Sequence, residues 1–442
     1  MREKDQRLAD GCQKLSEACS ESIRWVSDNP KTVGAQQENL NRQLKLAAVD
    51  ARKLARAATR PTSLAIFGPS QVGKSFLTGT LLGDDMSAGE EGACSKIVFG
   101  AGDKRRELTF LTEVNPIGGA ETTGLVTRFT VAEDIETPPD FPVALRMLTE
   151  IDIVKILVNS FIFDLSADAA RPLKADMISG VIEKLESRVE VEPVDTLRQE
   201  DIFELELYRP HPFAKMHPLY GDDLSDLYWQ NTARLAPYLK IEDRIELYAP
   251  LWGETPEFTG LFRELKKTLD RIGHPEWAFV RLDAIADRLP GETVLHVLTM
   301  KKGLADKGAD QSLASQLAEI ATPDGQTFSV RKPVITALAC ELRAQLASKP
   351  WDFFENTDLL DFPGARGRKG QTRDQFFNDP SEEYPIGEAF LRGKVAVMFD
   401  NYAADLDLNT LIACHKAEQS TTVSFPELIR QWVHRTHGAT PE

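Results

Sequence analysis

The hydrophobic positions of the first 60 residues recur at spacings of three and four. Leu8, Cys12, Leu15, Cys19, Ile23 and Val26 form one stripe; Leu40, Leu44, Ala48, Ala51, Leu54, Ala55 and Ala58 form a second. This spacing predicts two amphipathic helices, parted at "SDNPKTVG" by Pro30 and Gly34. Neither helix can hide its stripe alone. The pair is therefore expected as an N-terminal hairpin, residues 1–60, docked on the rest of the chain or on another protein.

At "RPTSLAIFG" the period changes. Leu64 to Phe67 read as a short buried strand, and good helix formers follow Lys74. Strand-like runs recur at "KIVFG", "GLVTRFTV", "FPVALRML", "TVLHVLTM", "TDLLDF" and "LNTLIACH". From about residue 150 to residue 345 the pattern is mostly helical, as in "DMISGVIEKLESRVE" and "EFTGLFRELKKTLDRI". No repeat of fixed period interrupts this order.

Between the first strand and its helix stands "GPSQVGKS". Gly68, Gly73, Lys74 and Ser75 occupy every required position of a phosphate-binding loop, with Ser70, Gln71 and Val72 inside it. Backbone N–H groups of such a loop turn inward on phosphate oxygens, which demands small residues at its bends. Lys74 would reach the outer phosphates and the Ser75 hydroxyl would take one place on Mg²⁺. The following helix adds the positive end of its dipole. A strand, a Gly-rich turn and a helix predict an α/β fold: a P-loop NTPase three-layer α/β/α sheet with N-terminal helices.

A phosphate loop alone does not separate ATPases, kinases and GTPases. The companion is "TDLLDFPGARGR", where Asp361 ends an apolar run and Gly364 follows three residues on. In a GTPase such an Asp holds Mg²⁺ through water, and the Gly N–H senses the γ-phosphate. The tetrapeptide by itself also suits an ordinary turn. A GTPase further needs a threonine that ligates Mg²⁺ while the γ-phosphate is bound. Thr127 in "GLVTRF" is the first choice, with Thr122 and Thr123 as alternatives and a plain loop position an equal reading for each.

Charge removes some functions. A formal net charge of −16 argues against nonspecific nucleic-acid binding, which relies on clustered Lys and Arg. Five scattered cysteines without metal-like spacing suit a reducing compartment. The charged start "MREKDQRLAD" lacks the apolar core of a secretory signal, and no segment reaches the ~18 apolar residues of a membrane span. The chain is expected to be soluble and cytoplasmic. Its amphipathic helices lack the basic face of interfacial helices, so membrane contact is unsupported.

"GPSQVGKS", "GLVTRF" and "DFPG", in this order, resemble the GTPase domain of dynamin-like proteins, in which a Val-Thr-Arg stretch supplies the switch threonine. More closely, "LAIFGPSQVGKSFLTGTLLG", "PVALRMLTEIDIVKILVNSF" and "LLDFPGARGR" resemble the bacterial virulence factor SrfC family, through most of the chain. That resemblance implies a phosphate-loop protein with large helical additions. Two features depart from the dynamin-like pattern. The order Ser70-Gln71 reverses the Gln-Ser of that loop, so its hydrolytic geometry does not carry over. And 286 positions separate Ser75 from Asp361, which implies a large, mainly helical insertion between two parts of one sheet.

The expected division is residues 61–145 and 346–442 for the nucleotide-binding parts, with 146–345 as the insertion. Guanine reading normally needs Asn/Thr-Lys-x-Asp; after Gly364 only "CHKAE" imitates its spacing, with His415 in first place. The chain ends at "RTHGATPE", before the strand that bears this motif in SrfC-like proteins, so a truncated product is expected. The resulting expectation is a Mg²⁺-dependent GTPase. It would couple nucleotide state to protein partners, self-association among them, in a virulence-associated setting. An ATP-binding enzyme, or a scaffold with a degenerate site, are the alternatives.

Overall fold

Three buried strands set the centre of the fold. Strands β1 (Thr62–Phe67), β4 (Val126–Thr130) and β10 (Thr357–Asp361) are buried almost throughout, as strands covered on both faces must be. A computed structural model describes residues 3–70, 72–83, 96–115, 123–132, 135–165, 173–208, 217–220, 222–286, 292–304, 311–367, 369–379, 382–415 and 425–436. Within them the chain is a mixed α/β protein, with many helices around one large mixed sheet.

The remaining strands are β2 (Ile97–Phe99), β3 (Arg106–Leu108), β5 (Val143–Met147), β6 (Trp277–Val280), β7 (Leu317–Ala321), β8 (Thr327–Arg331), β9 (Ala339–Leu346) and β11 (Thr410–Ala413). Their order is β11-β1-β10-β4-β9-β5-β6-β7-β8, with β2 and β3 joined beside β9. β1 lies parallel to both β10 and β11, whereas β4 runs antiparallel to β10. Residues 146–345 thus supply several helices and also β6 to β8 and most of β9. "TVLHVLTM" is not a strand: its second half opens the helix Val297–Gly303, which His296 caps by accepting from Leu298 N–H at 3.1 Å.

The N-terminal helices, Glu3–Asp28 and Gln37–Thr59, pack on each other, joined by the short helix Pro30–Val33. The buried face of the first is Ala9, Cys12, Ser16, Cys19 and Val26, while Leu8 and Leu15 stay about half exposed. The second is fastened to the helix Gln199–Leu207 by ion pairs Arg42–Glu206 at 2.7 Å and Lys53–Glu204 at 3.0 Å. Among the described residues no helix is long and apolar enough to cross a membrane.

The helix Pro385–Ala404 is buried nearly all round, and it packs on Glu150–Asp164, where Ser160 Oγ donates to Ala389 O at 2.7 Å. Within it, Lys394 is fully buried and donates to Thr336 O at 2.8 Å and Ala339 O at 2.6 Å. Burial pushes this ammonium down to about 7. The unfolded chain, with an ordinary lysine near ~10.4, then binds more protons above that value, so stability rises with pH there. The clean window is roughly pH 7 to 8.5. Above it the Cys340 thiol, pushed up by burial to about 12, opposes the rise. Urea melts across this window are expected to show the slope in the wild type and a flatter profile in Lys394→Met.

Candidate functional site

The apolar run of β1 ends at Phe67, and the chain leaves the sheet through Gly68 toward the helix Lys74–Leu81. Two glycines permit the path for different reasons. A Cβ at Gly68 would lie 2.0 Å from the carbonyl oxygen of Cys414, whose own N–H donates to Phe67 O at 2.8 Å. Gly73 has open space around it but a φ of +95°, in the left-handed region that side chains avoid. The first glycine is thus required by the approach of the chain leaving β11, whatever the loop binds. Because the clash is with backbone, Gly68→Ala is expected to cost about 1–3 kcal/mol in a urea melt.

Lys74 folds back over the loop it closes, with Nζ 3.1 Å from Gly68 O and 2.8 Å from Pro69 O. Val72, Lys74 and Ser75 are half-buried around the loop, as is Ser70; Gln71 lies outside the described residues. The neighbouring strand β10 ends at Asp361, in register with Ile66 on β1 and with Thr127 on β4. Beyond it the chain stays against the loop: Phe362 N–H donates to Ile66 O at 3.2 Å and Ala365 N–H to Gly68 O at 2.9 Å. Gly364 is held between these two bonds and is buried. Asp361 is 8 % exposed, and both its charge and that of Lys74 reach the Cys414 thiol. Burial raises that thiol above its ordinary value, Lys74 draws it down, and Asp361 adds to the rise.

An aromatic floor supports this end of the sheet. Phe67 stacks on Phe399 with centroids 4.5 Å apart, and Phe362 meets both rings edge-on, at 5.9 Å and 6.0 Å. The two residues that flank the proposed phosphate and metal groups, Phe67 and Phe362, are therefore fixed from below.

Thr127 stands inside β4, not on a loop before it, and is 1 % exposed. Directly opposed residues of antiparallel strands share a face, so it is the cross-strand neighbour of Asp361. Thr123 is half-buried and bridges His296 on the approach to β4, whereas Thr122 lies outside the described residues. Arg366, after Gly364, pairs with Glu388 at 3.1 Å, and Arg368 lies outside. His415 is exposed, and the rest of "CHKAE" lies outside as well.

Two clusters were not singled out from the sequence. Arg128, beside Thr127, is buried among Glu341 at 3.1 Å, Asp358 at 3.2 Å and Asp407 at 2.5 Å. Its signal was a charged residue in the middle of a strand-like run. The second is Asp195, Asp270 and His274, whose ligand atoms all lie within 4.8 Å of one another. Lys266 Nζ stands 2.8 Å from Asp195 and also bonds Asp270, so an ammonium already fills the cation position.

Residues 22–442 match the family described as "putative bacterial virulence factor", and the chain belongs to that family. No curated protein matches it.

Proposed function

Starting from membership of that family, we propose that this chain is a Mg²⁺-dependent nucleotide-binding protein, a GTPase of P-loop fold related to dynamin-like and SrfC-like proteins. The observation that carries the reading is that Lys74, at the close of a glycine-bent loop after β1, and Asp361, at the end of the parallel neighbour strand, stand at the same end of the sheet. Both lie at the carboxyl ends of parallel strands, where open α/β sheets bind ligands. The loop from Gly68 to Ser75 would cradle the phosphates, and Lys74 would bridge the outer two. Ser75, Thr127 and Asp361 are the oxygens suited to hold Mg²⁺, which when bound neutralises charge on the phosphates.

In this reading Gly364 N–H reports on the γ-phosphate. Its segment is tied to the helix Pro385–Ala404 through Arg366–Glu388, which supports transmission of nucleotide state into the helical parts and on to protein partners or further copies of the chain. Hydrolysis would require positioning of water and no covalent intermediate. A cytoplasmic setting supplies GTP and Mg²⁺, and the described cysteines, Cys12, Cys19, Cys340 and Cys414, are all free thiols, which fits it.

Titration of GTP and ATP in the presence and absence of Mg²⁺, with phosphate release followed in parallel, tests the proposal. GTP is expected to bind at least about tenfold more tightly than ATP, a difference of 1.4 kcal/mol. Selectivity for ATP would overturn the GTPase reading in favour of an ATP-using enzyme. Binding of neither would leave a virulence-associated scaffold.

A further inference from the structure

A cavity of about 420 Å³ opens away from the Gly68 loop. Asp407, which precedes β11, lines it, whereas Cys414, which follows β11, abuts Gly68. Since β11 runs parallel to β1, the cavity lies at the opposite end of the sheet from the proposed nucleotide site. Its walls come from the helix Gln37–Thr59, the end of β5, the helix Glu150–Asp164 and the helix Pro385–Ala404. It therefore joins the N-terminal hairpin to the sheet.

Seven carboxylates and six Lys or Arg side chains line this cavity, and they differ in how fully each is engaged. Most of its carboxylates are paired with cations: Lys53 holds Glu204 at 3.0 Å and Asp405 at 3.3 Å, Arg198 holds Asp201 at 2.9 Å, Arg244 holds Glu150 at 2.6 Å, and Arg128 holds Asp407 at 2.5 Å. Asp152 makes no ion pair among the described residues; it accepts from Thr149 N–H at 2.9 Å and from Asn401 Nδ2 at 2.7 Å. Four of the cations, Lys155, Arg146, Arg52 and Arg56, are less engaged. Lys155 is only 8 % exposed, yet it makes no ion pair among the described residues. Its ammonium donates to Asn401 Oδ1 at a long 3.3 Å and stands 5.7 Å from the Tyr208 ring. Arg146, with five donors on its guanidinium, makes one ion pair, with Glu276 at 3.4 Å, and stands opposite Glu341 of β9, whose charge also reaches it. Arg52 and Arg56 reach the same cavity from the hairpin, and neither forms an ion pair there among the described residues.

A buried ammonium without a counter-ion is costly unless neutral acceptors or a bound anion satisfy it, and Lys155 has a single long bond to a neutral acceptor. We propose that this cavity binds a small organic molecule through a single oxyanion group, phosphate or carboxylate, held between Lys155 and Arg146. The volume suits a small metabolite. With seven carboxylates in its lining the cavity disfavours a polyphosphate, so the ligand class differs from that of the Gly68 loop. Because Arg52 and Arg56 belong to the hairpin, occupancy would also tighten the hairpin on the sheet.

The test is the thermal stability of the full chain titrated with glycerol 3-phosphate, glycerate and pyrophosphate, in wild type, Lys155→Met, Arg146→Gln and Lys74→Ala. Glycerol 3-phosphate or glycerate, whichever group the site prefers, is expected to raise the melting temperature, with pyrophosphate inferior to the better of them. The apparent Kd should weaken at least about tenfold in Lys155→Met and in Arg146→Gln, and stay unchanged in Lys74→Ala. Without ligand, Lys155→Met should melt no lower than wild type. A response that survives in both cavity variants, disappears in Lys74→Ala, or is absent with both glycerol 3-phosphate and glycerate overturns the site. So does a ligand-free melting temperature that falls in both cavity variants, which would assign these cations to the fold.

Discussion

Lys74→Ala is expected to weaken GTP binding by about two orders of magnitude or more while the protein stays folded. In the structure the Lys74 ammonium rests on the carbonyls of Gly68 and Pro69, at 3.1 Å and 2.8 Å. Both are neutral acceptors on the loop itself. A triphosphate offers charged oxygens instead, and a hydrogen bond to a charged group contributes about 1.5–3 kcal/mol where a neutral one contributes about 1. Two such bonds, lost together, correspond to about a hundredfold or more in Kd. Arginine is not a conservative replacement, because its planar fork does not occupy the position of a compact ammonium. The side chain is half-buried on a loop, so circular dichroism and the melting temperature should hardly move. Equal affinity in wild type and variant would remove the nucleotide reading altogether, whatever the rest of the loop resembles.

How much of this was legible in the sequence depends on whether the cause was local. The loop, its strand and its helix form one contiguous stretch, and the expected elements stand at Thr62–Phe67 and Lys74–Leu81. "TDLLDF" and "LNTLIACH" likewise became β10 and β11. What the period could not decide was which of two adjacent stripes a helix buries. In the helix Glu3–Asp28 the leucines at 8 and 15 face out, at 53 % and 52 % exposure, while Ala9 and Ser16 face in. A shift of one position rotates the stripe by about 100°. The buried set is richer in small residues, which lets two helix axes approach closely, whereas hydropathy alone favours leucine.

Pairings between distant segments were less visible still. "TVLHVLTM" has the composition of a strand, yet the cap at His296 starts a helix within it. β6 has only four residues, and its partners β5 and β7 lie far from it in sequence. Nothing local announces it. The site shows the same division. Lys74 and Asp361 were readable because each sits in a motif with its own geometry. The carboxylates around Arg128 stand 213, 230 and 279 positions away, and only the strand register of β4, β9 and β10 with the turn before β11 assembles them.

That assembly makes Arg128 the most sensitive position for stability. Its guanidinium crosses the middle of the sheet and satisfies Glu341, Asp358 and Asp407, with Tyr402 also bonded to Glu341. Burial alone would raise Glu341, but the guanidinium groups of Arg128, Arg146 and Arg343 prevail and bring it down to about 2. For Asp407 burial dominates, and its value is raised despite Arg128. Arg128→Met leaves three carboxylates in the core with reduced compensation, and is expected to cost about 3–5 kcal/mol in urea unfolding at pH 7. The sign of the pH dependence follows from Glu341. A carboxylate depressed in the folded state adds stability above its unfolded value near ~4.3, and that stability is lost as pH falls toward about 2. In the variant the same carboxylates gain by taking up protons, so its deficit should shrink as pH falls from 7 to 4. Unfolding curves for the two proteins should therefore converge in acid. A deficit that is constant over this range would mean that lost packing, and not uncompensated charge, accounts for the effect of Arg128.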